Sequence, residues 1–109
     1  MTKYNARPTE VDNIRFDSQK EALAYRQFKT LYKAGEIVKL TLQPEFELQP
    51  AFEKNGKKYR AIIYRADFAV VWKNGKLEIF DVKGFSTREF KLKQKLFEYR
   101  FKDLKITLL

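Results

Sequence analysis

In "GKLEIFDVKGF", residues 75–85, Leu77 and Ile79 alternate as the inward face of a β-strand does, because side chains repeat every two residues. The same face then carries Asp81 and Lys83, a carboxylate beside an amine. Asp67 raises a related question. It interrupts "AIIYRADFAVVW", where nearly every neighbour is a good strand former. Aspartate is depleted in strands because its side chain competes for backbone hydrogen bonds. The third acid is Glu21, which falls within the apolar arc of a helical segment, where an ionised carboxylate costs several kcal/mol unless it is paired. Each has an ordinary account: a capping box for Glu21, a sheet edge or an Arg65 pair for Asp67, a surface ion pair for Asp81 and Lys83. One chemistry covers all four. Carboxylates from adjacent strands and a nearby helix can hold a hard divalent cation, usually Mg²⁺, with a phosphate oxygen and waters. Such an ion acidifies a bound water and offsets charge on a scissile phosphate, while a lysine adds fixed positive charge beside it.

Composition narrows the alternatives. The chain of 109 residues has no histidine and no cysteine, which removes Ser-His-Asp and Cys-His catalysis, His-ligated zinc, thiolate metal sites and disulfides. Hydrolytic chemistry is left to carboxylates, lysines, hydroxyls and oxygen-liganded ions. Aromatic residues at 16% and hydrophobic residues at 44% describe one globular domain with a modest core. No apolar run approaches a membrane span, and "MTKYNARPTE" lacks the apolar region of a secretory signal. An intracellular, cytoplasmic location is the expectation. A net charge of +9 favours a polyanionic partner, since neutralised phosphates release counterions.

These side chains need elements to position them. Residues 1–13, polar and containing Pro8, are expected as a flexible arm. "FDSQKEALAYRQFKTLYKAGEI" predicts a helix capped by Ser18, with Glu21 three residues later and Gly35 as a left-handed stop. Its wheel gathers Ala24, Tyr25, Phe28, Leu31 and Tyr32 in an arc of about 120° that includes Glu21. "IVKLTLQPEFEL" alternates as a strand, with Val38, Leu40 and Leu42 on one side and a bend or edge at Pro44. A turn at Asn55-Gly56 precedes a long strand ending at Trp72, and "LEIFDVKG" follows "KNGK". "STREFKLKQKLFEYRFKDL" predicts a second helix and "KITLL" a last strand. The order is α-β-β-β-α-β, a small mixed sheet flanked by helices.

Strand parity makes the shared site conditional. A two-residue Asn74-Gly75 turn would set Asp67 opposite Val82, on the other face from Asp81. A three-residue turn, Lys73-Asn74-Gly75 with Gly75 left-handed, sets Asp67 opposite Asp81. On the second helix, Phe90, Phe97, Phe101 and Leu104 form an apolar stripe, and Arg88, Lys91, Lys95 and Lys102 gather within about 60° elsewhere. Lys93 and Arg100 form another basic strip. These cations are candidate phosphate contacts, which hold nucleic acid without reading its sequence. Leu92, Leu96 and Tyr99 form a patch suited to the first helix or to a homodimer.

Asp67, followed fourteen residues later by Asp81-Val82-Lys83, with Glu21 in a helix before the sheet, resembles the PD-(D/E)XK nuclease superfamily. The likeness covers residues 14–109, and "FDSQKEA", "LQPEFEL", "YRADF" and "DVKG" look most like small phage and prophage endonucleases. It is also similar to transposon endonuclease subunits and phage Holliday-junction resolvases. The resemblance implies a single restriction-endonuclease-like α/β domain over 14–109. It implies Mg²⁺-dependent hydrolysis of DNA phosphodiesters, with Mn²⁺ able to substitute, in recombination or processing of branched DNA inside a cell. Asp67 and Asp81 would be metal ligands, Lys83 the catalytic lysine, and Glu21 a further ligand or water-orienting acid. Gln43 is a candidate lining residue. The motif's proline is Ala66 here, and its second acid is the shorter Asp. A non-catalytic nucleic-acid-binding module that retains the fold, and a basic interaction protein whose acids are ion pairs, are the other readings.

Overall fold

The first helix, α1 (Gln19–Lys33), starts where Ser18 turns extended and its hydroxyl accepts the Glu21 N–H at 3.1 Å. Satisfying one orphan amide in this way is what the capping sequence predicts. Gly35 stops the helix with φ +80°, a conformation that glycine adopts without a Cβ clash. The computed structural model describes residues 7–82 and 86–109. In chain order the strands are β1 (Thr9–Val11), β2 (Ile14–Phe16), β3 (Ile37–Leu42), β4 (Glu45–Gln49), β5 (Phe52–Lys54), β6 (Lys57–Tyr59), β7 (Ile62–Arg65), β8 (Phe68–Trp72), β9 (Leu77–Asp81) and β10 (Ile106–Leu108). The second helix, α2 (Arg88–Arg100), is capped by the Thr87 hydroxyl. Over the described residues the protein is a mixed α/β molecule built from small sheets and two helices.

Its centre is a four-stranded sheet in the order β10-β9-β8-β3, antiparallel except for the β9–β10 pair. Alternation along β8 and β9 gives the sheet two buried faces. Phe68, Val70, Phe80 and Val82 pack with Phe16, Ala24, Tyr25 and Phe28 on the α1 side. Ala69, Ile79 and Ile106 pack with Phe90 and Phe97 of α2, joined by Leu48 and Tyr64. Phe28 holds Phe68 and Phe80 at centroid distances of 5.1 and 5.0 Å. Each such buried side chain contributes about 1.5–3 kcal/mol, so these layers fix the strand ends that carry the acids.

Four sequence expectations change. Residues 9–13, expected as part of a loose arm, form a hairpin with β2 through Asp12 (φ 54°) and Asn13 (φ 63°). Asp12 accepts the Tyr25 hydroxyl at 2.9 Å, which ties the hairpin to α1; three-residue strands are too short to show a period. Val38, expected inward, is 57% exposed because the β3–β8 register shifts between Ile37 and Lys39 and buries Ile37 instead. Tyr32 is 47% exposed, bordering a surface groove with Lys29 and Leu40. Finally, the long central strands are broken into β3/β4 and β7/β8, and a separate β5–β6 hairpin ends the ribbon. Among the described residues, no helix is long and apolar enough to cross a membrane.

Candidate functional site

Asp67 lies at the break between β7 and β8, opposite the break at Gln43-Pro44 between β3 and β4. The antiparallel pairing passes straight through: Leu42 faces Phe68 on one side of the break and Glu45 faces Arg65 on the other. Inside it, the Gln43 N–H donates to the Asp67 carbonyl at 2.9 Å and the Ala66 N–H to the Pro44 carbonyl at 3.0 Å. Pro44 has no N–H for the ladder and Gln43 sits at φ +50°, so the ribbon kinks here. The kink also switches side-chain parity, since Ala66 and Ala69 share one core while Phe68 belongs to the other. This turns Asp67 towards the end of the sheet.

The β8–β9 hairpin meets the parity condition. Trp72 N–H bonds the Lys76 carbonyl at 2.9 Å, Gly75 has φ +87°, and Lys73-Asn74-Gly75 is a three-residue loop. Phe68 therefore pairs with Phe80, with Asp67 and Asp81 each one residue beyond that pair. Asp67 Oδ2 accepts the Val82 N–H at 2.7 Å, closing the end of β9.

Glu21 is 5% exposed in the first turn of α1. It lines a cleft of about 230 Å³ together with Arg15, Gln43 and Asp67, with Phe16 and Phe68 among its apolar walls. Two acids 46 residues apart in the chain thus face one space, beside a guanidinium that sequence reading assigned to no site. Arg15 was missed as a site residue because nothing in "VDNIRF" marks it off from an ordinary surface cation.

Asp81 is 1% exposed, and its Oδ2 accepts the Tyr64 hydroxyl at 2.5 Å. Burial, first, then this bond and the charges of Asp81 and Asp67 hold the Tyr64 hydroxyl well above its ordinary pKa, so it remains a donor. Tyr64 was also missed; its sequence signal is only that a buried tyrosine needs an acceptor. Lys83 lies outside the described residues. Among those described, no three Asp or Glu side chains form one metal-holding group. Glu21, Asp67 and Gln43 share the cleft, while Asp81, bonded to Tyr64, precedes Val82, whose N–H the Asp67 carboxylate accepts. The donor set itself, carboxylate and amide oxygens, suits a hard divalent ion.

On α2, Arg88, Lys91, Lys95 and Arg100 are exposed, and Lys102, expected on the same helix, is exposed in the turn that follows it, because α2 ends at Arg100. Lys93 is half-buried, 3.8 Å from Glu89, and the Lys102 ammonium sits 4.1 Å from the Tyr99 ring centroid. The Leu92-Leu96-Tyr99 patch is divided: Leu96 packs on the core, whereas Leu92 and Tyr99 are 57% and 74% exposed.

A family model described as a protein of unknown function (DUF1064) matches residues 1–109. The chain belongs to the DUF1064 family. No curated protein and no solved structure matches it. In this DUF1064 chain, the kinked ribbon and the start of α1 bring two carboxylates to a cleft open to a ligand. The third acid is held at the adjacent sheet end by a tyrosine.

Proposed function

We propose that the protein is a Mg²⁺-dependent DNA endonuclease of the PD-(D/E)XK kind, acting on branched or duplex DNA. The observation that carries this reading is the shared cleft of Glu21 and Asp67, with the Asp67 carboxylate bonded to the Val82 N–H next to Asp81. On this reading α1, β3, β8, β9, α2 and β10 are taken as the α-β-β-β-α-β core expected of that superfamily. The β4–β7 ribbon and the two small hairpins are additions to it.

Asp67 and Asp81 would hold the ion, with Glu21 as a further ligand or as the acid that orients the attacking water. When bound, Mg²⁺ supplies an acidified water and charge neutralisation at the phosphate. Asp67 is positioned by the Val82 N–H, and Asp81 by the Tyr64 hydroxyl. Lys83, next after Val82 in the chain, would add positive charge beside the phosphate. The exposed cations of α2 would hold flanking phosphates.

The test incubates the protein with supercoiled plasmid, linear duplex, single strands and a four-way junction, in Mg²⁺ or EDTA. Cleavage in Mg²⁺, lost in EDTA and reduced at least about 10²-fold in Lys83→Ala and Asp67→Asn, is the expected result. Junction cleavage exceeding duplex cleavage assigns branched DNA as the substrate. Binding without cleavage in any divalent metal would replace this reading with a non-catalytic DNA-binding module. Neither binding nor cleavage would remove both.

A further inference from the structure

The β5–β6 hairpin has a sequence that folding does not explain. Residues 51–60, "AFEKNGKKYR", are all exposed, and neither three-residue strand places a side chain in the core. Its turn is well built: Asn55 (φ 51°) and Gly56 (φ 76°) make the two-residue connection favoured in hairpins, with Lys54 facing Lys57. Phe52 and Tyr59 face each other across the strands, stacked at 4.7 Å with 10° between ring planes, yet 42% and 40% exposed. The Lys57 ammonium lies 5.0 Å from the Tyr59 ring centroid.

Charge singles out a partner. Lys54, Lys57, Lys58 and Arg60 stand against the single acid Glu53, and none of the four is in an ion pair among the described residues. Four like charges on so short a ribbon repel one another. They do match a polyanion, where each phosphate contact releases counterions. Shape agrees: the strands of a ribbon are about 5 Å apart, and the major groove of B-DNA, about 12 Å wide, admits a two-stranded ribbon.

We propose that the β5–β6 hairpin is a DNA-docking ribbon that enters a groove of duplex DNA. Its lysines contact the flanking phosphates, and its stacked aromatic pair keeps it rigid. The inference shares its DNA partner with the nuclease reading but does not depend on hydrolysis. It assigns to DNA an element remote in sequence from the basic face of α2.

The test measures fluorescence anisotropy of a short labelled duplex across a salt series, in EDTA so that cleavage plays no part. The wild-type chain is compared with K54A/K57A/K58A and with K33A/K76A/K105A. The second triple removes equal charge from exposed positions at the other end of the central sheet. Each phosphate contact contributes about 0.9 to the slope of log affinity against log salt. The hairpin triple is therefore expected to lower that slope by about 2–3 and to weaken low-salt binding at least about tenfold, with the other triple near wild type. Equal effects of the two triples, or no effect of either, would overturn the proposal. Circular dichroism melts confirm that both variants fold. Duplex binding that behaves as expected, with no cleavage in Mg²⁺, would leave the ribbon standing and remove the nuclease.

Discussion

Tyr64 shows how a site is held from below. Its hydroxyl donates to the Asp81 carboxylate, which is 1% exposed, and its ring lies within the α2-side core. Tyr64→Phe removes a hydrogen bond to a buried carboxylate, so urea unfolding should show a loss of about 1–3 kcal/mol. Alkali reports on the same bond. The folded-state pKa of Tyr64 is raised above its ordinary 10.0, so the stability it contributes is complete below about pH 10 and is lost as pH rises beyond that. Burial, then Asp12, raises Tyr25 as well, so part of this alkaline loss persists in Tyr64→Phe, with a smaller slope in unfolding free energy above pH 10. Gln43 gives a second test. At φ +50° asparagine is tolerated and a β-branched residue is not, so Gln43→Val should cost about 1–3 kcal/mol while Gln43→Asn stays near wild type. At this scale the acids were legible, because each broke a hydrophobic period. Tyr64 and Arg15 were not, because an aromatic in a strand and a cation near the surface break no pattern.

Among elements, α1 was the most legible, since its cap, stop and buried face are all local signals. Ser18→Ala removes the hydroxyl that accepts the Glu21 N–H and should cost about 1 kcal/mol, read as a fall of about 4–8 °C in Tm. Because Glu21 sits in the turn that this cap organises, the substitution should also lower any Mg²⁺-dependent cleavage. The β8–β9 turn was legible as a condition: an odd loop is needed to bring Asp67 and Asp81 to the same end of the two strands, and the loop is three residues long. The kinked ribbon was only half legible. Pro44 announced a bend, but the matching break at Ala66-Asp67 carries no proline or glycine and arises from pairing with the strand that does. The bulge at Val38 has the same character, a register decision made by the partner strand.

For the whole molecule, a charge of +9 on 109 residues predicts DNA affinity that falls steeply with salt. If six phosphates are neutralised, raising salt from about 50 to 200 mM should weaken duplex binding by about 10³, measured by anisotropy without divalent metal. The cations are spread over α2 and the β5–β6 hairpin, so no single substitution should abolish binding. The central sheet explains how one small domain holds these parts. Its two faces are filled by separate helices, which leaves the strand ends and the ribbon tip to face a ligand.

By itself the sequence determined the kinds of chemistry open to this protein, the two helices, and the turns at Asn55-Gly56 and Lys73–Gly75. These follow from composition and from interactions a few residues apart. Tertiary structure alone decided that Glu21 and Asp67 face one cleft, that Tyr64 holds Asp81, and that a hairpin at the amino-terminal end closes the wall. Such pairings are set by strand register and by packing between segments tens of residues apart, and no local pattern of residue types encodes them.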